Sequence, residues 1–175
     1  SALQENTTAS NNTAVGYQAA YSNTTGTITA LGSYAGYANT TGSSNVALGG
    51  YDGATASALR FNTTGSYNVA VGTGALHTNT TADQNTALGY NALGVVTTQG
   101  YNTAVGSQAL RYNTGAENTG VGSLALFTNT TGAYNTSIGR EAMRYNTTGA
   151  NNVASGFGAL RSNTTASGNT AVGYR

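Results

Sequence analysis

The chain repeats itself. Residues 129–145 read NTTGAYNTSIGREAMRY and residues 146–162 read NTTGANNVASGFGALRS, two copies of the 17-residue unit N-T-T-G-x-x-N-T-A-V-G-x-x-A-L-x-x. The Gly after the A-V pair sets the register and recurs at Gly16, Gly32, Gly49, Gly72, Gly89, Gly106, Gly122, Gly139, Gly156 and Gly173. Most steps are of 17 residues and two are of 16, while Gly49 to Gly72 holds about six more residues around 50–55. A unit this short buries apolar surface only by stacking on its neighbours, which makes a solenoid the natural outcome.

Alternation in N-T-A-V-G puts Thr13, Val46, Val69, Thr86 and Val153 on the same face as Val15, Leu48, Val71, Leu88 and Ile138. The Ala between them points the other way. A second stretch, A-L-x-x, carries Leu59, Leu76, Leu93, Leu110, Leu126, Met143 and Leu160. The pattern predicts two short strands per unit, aliphatic side chains inside and Ala outside. Gly, Asn and Thr in every window weigh against a helix. The ten glycines read as corners that need a positive φ or close backbone approach, and stacked Asn side chains suit amide ladders. The expected fold is all-β, a parallel β-solenoid of about ten rungs in one repeat domain spanning 1–175, with an inserted loop at 50–55. At ~4.8 Å per rung such a rod is about 50 Å long. Its core is thin, so side-by-side packing of identical rods is expected to complete it. Neither end shows a polar cap, and the chain reads as a segment of something longer.

Composition narrows the chemistry. The six basic residues are all Arg, the net charge is +1, and 6% of residues are charged. That is too little positive charge for nucleic-acid binding. The absence of Cys removes disulfides, thiolate catalysis and Cys-type zinc sites. No apolar run reaches the ~18 residues of a membrane span, so no membrane insertion by this segment is expected. His77 stands alone, and Glu5, Asp52, Asp83, Glu117 and Glu141 occupy scattered rung positions. Catalysis needs oriented partners. No enzyme, metal or cofactor is expected.

The units N-T-A-V-G-Y-Q-A (residues 12–19), N-T-A-L-G-Y-N-A-L (85–93) and N-T-A-V-G-S-Q-A-L (102–110) resemble the head repeats of trimeric autotransporter adhesins. They are similar also to the longer repeats of phage tail fibres and fibre-like bacterial surface proteins. The resemblance covers essentially the whole chain. It implies a left-handed β-roll, a homotrimer about a common axis, and an extracellular role on a cell surface or virion. The repeat here is longer than the adhesin unit, and N-T-T-G accounts for the difference.

One column stands out, the residue after the A-L pair: Tyr21, Tyr37, Arg60, His77, Arg111, Phe127, Arg144 and Arg161, with Gln4 and Gly94 between them. Arg interleaved with aromatic rings suits a cell-surface glycan or lipopolysaccharide. The competing reading, which is favoured, is an edge between subunits. Arg144 and Arg161 lie one rung apart and need an acid between them; Glu141, or Glu117 of a neighbouring chain, is the candidate. The recurring N-T-T sequons read as turns rather than glycosylation sites. The expected function is a structural segment of an extracellular fibre or adhesin supporting multivalent attachment. The alternatives are a self-assembling filament subunit without a receptor, or an ice-binding solenoid.

Overall fold

The computed structural model describes all residues from Ser1 to Arg175. It is an all-β parallel solenoid of about nine turns, without a helix. Ten strands of three or four residues form one sheet: β1 (Thr13–Val15), β2 (Ile28–Leu31), β3 (Asn45–Leu48), β4 (Val69–Val71), β5 (Thr86–Leu88), β6 (Thr103–Val105), β7 (Thr119–Val121), β8 (Thr136–Ile138), β9 (Val153–Ser155) and β10 (Thr170–Val172). Sheet order equals chain order and every pairing is parallel, with Ala30, Ala47, Ala70, Ala87 and Ala104 in register. Only 20 of the 109 backbone hydrogen bonds lie within the strands. Turns and corners therefore pair from rung to rung as thoroughly as the sheet does.

Each unit has one strand, not two. The A-L stretch is a run of overlapping turns: the Ala75 N–H donates to the Gly72 carbonyl, and the Asn79 N–H to that of Leu76. The Leu between is left-handed, with φ of 49° at Leu76, 48° at Leu93 and 47° at the equivalent Met143. Such a conformation costs a non-Gly residue about 1–2 kcal/mol. Complete burial of the side chain, at about 1.5–3 kcal/mol, offsets it.

The faces of the strand are also the reverse of the expectation. Ala30, Ala47, Ala70, Ala87, Ala104 and Ala154 are fully buried, whereas Val15, Leu31, Leu88 and Ile138 are exposed. Interior width explains the inversion. The turn Leu crosses the rung and meets the strand, leaving space only for a small side chain. Where the column holds Gly120, a Cβ would come within 3.0 Å of Leu110 Cδ1. Where it holds Ser137, the hydroxyl donates to the Ala142 carbonyl at 2.8 Å.

Two buried asparagine ladders complete the interior. In the first, the N-T-T asparagines pass amide to amide: Asn39 Nδ2 donates to Asn23 Oδ1 at 2.8 Å, and Asn62 and Asn79 continue it at 2.7 Å. Each also closes its own turn, as Asn62 Nδ2 does on the Gly65 carbonyl at 2.9 Å. In the second, the Asn preceding the strand accepts the backbone N–H of the next one: Asn68 to Asn45 at 2.9 Å, Asn85 to Asn68 and Asn102 to Asn85 at 3.0 Å. These polar side chains can be buried because their hydrogen bonds are made. Ile28 replaces one Asn of the second ladder and Val96 one of the first, both buried.

The corner glycines have φ between 122° and 151°. At Gly89 a Cβ would lie 2.6 Å from the Gly106 carbonyl oxygen, so both conformation and space require Gly there. The longer unit leaves the stack after Tyr51, whose N–H still donates to the Ser33 carbonyl, and returns by Ala56, which accepts from Gly74. Asp52 folds the excursion by accepting from the Ala54 N–H at 3.0 Å and from that of Thr55.

Candidate functional site

The column after the A-L turn runs along one edge of the rod, and all eight of its candidate residues are half-buried. It falls into two clusters. In the first, Tyr21 stacks on Tyr37 with ring centroids 5.4 Å apart. Arg60 lies over Tyr34 at 4.7 Å and is within 5.5 Å of Tyr51, brought in by the inserted loop, and of Phe61. The Arg60 Nε is buried without a partner, held by rings rather than by an acceptor.

The second cluster runs from Arg111 to Arg161. Arg111 lies over Tyr112 at 5.1 Å, and Tyr112 meets the edge of Phe127 at 5.0 Å. Arg144 sits between Phe127 and Tyr145 at 5.9 and 5.2 Å. Glu141 is the acid that separates the Arg charges. It receives Arg161 Nε at 2.6 Å, Arg144 at 3.2 Å and Arg140 at 3.7 Å. The Arg161 hydrogen bond, with the positive charges around it, holds the Glu141 carboxyl below the ordinary glutamate range. Within one chain, then, Glu141 rather than Glu117 meets this need. Between the clusters the stripe is interrupted: His77 turns its Nδ1 to the Gly74 carbonyl at 3.0 Å, and Gly94 offers no side chain.

Two further exposed columns flank the sheet. Val15, Leu31, Leu88, Ile138 and Val172 form an aliphatic strip on its outer surface, beside a column of Thr and Val. The residue before each ladder Asn forms the other, where Tyr67, Tyr101 and Tyr134 are exposed large hydrophobic side chains. Neither was among the sequence candidates. The tyrosines carry a legible signal, a fixed place before the ladder Asn in three alternate units, those of β4, β6 and β8.

No three His, Cys, Asp or Glu side chains gather as a metal site would require. Six of the eight N-T-T asparagines, Asn23, Asn39, Asn62, Asn79, Asn129 and Asn146, are fully buried in the first ladder, out of reach of glycosylation in the folded chain, while Asn6 and Asn163 of the outermost units are half-buried. The larger cavity, about 560 Å³, lies at the end of the stack among Leu160, Arg161, Asn163 and Arg175. Comparison of the chain with protein-family models, curated proteins and solved structures finds no match.

Proposed function

We propose that this chain is a structural segment of an extracellular fibre, a left-handed roll that assembles as a homotrimer about its long axis and supports multivalent attachment to a cell surface. The observation that carries this reading is the outer surface of the sheet. Its aliphatic column holds Val15, Leu31, Leu48, Val71, Leu88 and Val105 in successive strands, with no charged residue in any strand. An apolar strip that runs unbroken from Val15 to Ile138 and resumes at Val172 after Ser155 marks an interaction surface. Identical rungs on parallel copies would meet it in register, each aliphatic side chain against its equivalents. The resemblance to adhesin head and tail-fibre repeats supports the same arrangement. Backbone ladders stiffen the rod, and repetition sets weak contacts at fixed intervals so that avidity exceeds single-site affinity.

Light scattering on the purified chain tests the assembly. The expected mass is that of three chains, and Leu31→Lys with Leu88→Lys should reduce it to one without unfolding the rod. A folded wild-type monomer rejects the trimer.

A second reading, ice binding, gains one observation. Thr86, Thr103, Thr119 and Thr136 project from consecutive strands on the outer face, since the Ala, Gly or Ser after each is buried. A freezing-hysteresis measurement on dilute protein decides this reading directly.

A further inference from the structure

Tyr67, Tyr101 and Tyr134 occupy equivalent positions in the solenoid, each immediately before a ladder Asn, with φ of 59°, 62° and 59°. Their side chains are 62%, 59% and 57% exposed. Two ordinary preferences are violated together. A left-handed position favours Gly, Asn or Asp, and Tyr is a poor occupant. An aromatic ring normally gains its stabilisation by burial, and these rings are largely in water. The same column holds Asn151 and Gly168, the expected types, so the backbone itself does not call for Tyr. Rings kept on a rigid scaffold at some expense to stability point to a ligand.

Their spacing identifies its class. Tyr67, Tyr101 and Tyr134 precede β4, β6 and β8, so one rung intervenes between each pair. At ~4.8 Å per rung, successive tyrosines are about 10 Å apart along the rod. The intervening rungs carry Gln84 and Glu117, also left-handed. The backbone joins these rungs directly: the Tyr101 N–H donates to the Asp83 carbonyl and the Glu117 N–H to that of Gly100. Gln84 Nε2 donates to the Tyr101 hydroxyl at 3.1 Å. The column thus alternates flat apolar rings with planar hydrogen-bonding groups.

We infer that this column is a binding track for an extended, uncharged β-1,4-linked polysaccharide lying along the rod. In such a polymer successive sugars are flipped, so equivalent faces recur every second ring, on the same length scale as every second rung. Axial C–H bonds carry slight positive charge and suit the negative face of a tyrosine ring. Equatorial hydroxyls at the intervening sugar suit the amide of Gln84 and the carboxylate of Glu117. Three weak stacking contacts on one stiff scaffold act as a multivalent site. The track deepens the reading of the rod as an attachment segment and rests on it. It uses none of the Arg stripe.

Cosedimentation of the intact chain with microcrystalline cellulose and with chitin tests it, with insoluble starch as the α-linked control. Wild-type protein should pellet with at least one β-1,4 polymer, and 1 M salt should leave this binding intact. The triple variant Tyr67→Ala, Tyr101→Ala, Tyr134→Ala should lower the bound fraction at least tenfold, with an unchanged melting temperature. The variant Arg111→Ala, Arg144→Ala, Arg161→Ala should bind as wild type does. Retention of both β-1,4 polymers' full binding by the triple Tyr variant overturns the track. So does equal binding to starch, loss only in the Arg variant, or wild-type protein left in the supernatant with both polymers. The mass from light scattering is measured separately, so failure of the trimer and failure of the track are told apart.

Discussion

Asn79 and Val96 stand one rung apart at a break in the first asparagine ladder, and Asn79 Oδ1 is buried without a hydrogen-bond partner. Their register is fixed next door, where the N–H groups of Thr80 and Thr81 both donate to the Thr97 carbonyl. At intact positions, the carbonyl of one amide takes the Nδ2 of the next, as Asn62 Oδ1 takes Asn79 at 2.7 Å. Valine keeps the volume and lacks the donor. Val96→Asn restores the donor, and the chain should gain about 1 kcal/mol. For a domain of this size that raises the melting temperature by roughly 2–4 °C. A lower melting temperature by circular dichroism would show that the Val96 apolar contacts outweigh the orphaned carbonyl.

Asn68 is the converse case. Its Oδ1 accepts the Asn85 backbone N–H at 3.0 Å inside the rod. Its Nδ2 donates to the Ala82 carbonyl, which Asn79 also reaches. Asn68→Ala therefore strands one buried donor, and urea denaturation should register a loss of about 1–3 kcal/mol. A change within ±0.5 kcal/mol would mean that the ladder fills space without contributing hydrogen-bond stability.

Two glycines separate conformation from crowding. Gly89→Ala sets a Cβ 2.6 Å from the Gly106 carbonyl oxygen at φ 137°, and the neighbouring rung must move. Strain and displacement together should cost about 2–6 kcal/mol. Gly53, in the inserted loop, has φ 93° and no atom within 4 Å of the same position. Gly53→Ala should cost about 1 kcal/mol, the conformational component alone. Thermal melts of the two variants compared side by side test the distinction, and equal losses contradict it.

Glu141 makes stability depend on acid. Its carboxyl titrates below the ordinary glutamate value when folded, because of Arg161 first and the neighbouring Arg charges. The stabilisation is present above the unfolded value of ~4.3 and disappears as pH falls through the lower folded value. Glu141→Gln should therefore be less stable than wild type at neutral pH, with the two curves converging in acid. Denaturation midpoints measured from pH 7 down to pH 2 should show that convergence. A constant offset would remove the charge argument.

How much could be read in advance is clearest in the strand N-T-A-V. The period and its Gly marker prescribe rungs, parallel stacking and a place for every residue, because each of those follows from recurrence along the chain. Alternation prescribes that Ala and Val face opposite ways. It does not say which face is inside. That was decided by Leu76 and its equivalents, which turn left-handed and cross the rung, leaving the strand wall room only for Ala, Gly120 or Ser137. A residue in that conformation lies outside the local preferences a sequence expresses, so A-L looked like a second strand.

The candidate stripe divides in the same way. Its column was legible, since an offset from a repeated Gly is a property of the sequence. So were its gap at Gly94 and Glu141 as a candidate acid between Arg144 and Arg161. The seating of Arg60 among Tyr34, Tyr51 and Phe61, and the choice of Glu141 over Glu117, were not. Those contacts join neighbouring rungs, and their geometry depends on side-chain reach across the stack. The sequence by itself determined a solenoid of equivalent rungs. Only the tertiary structure decided which side chains fill it and which are left facing water, because interior width is a property of the closed turn and not of any residue within it.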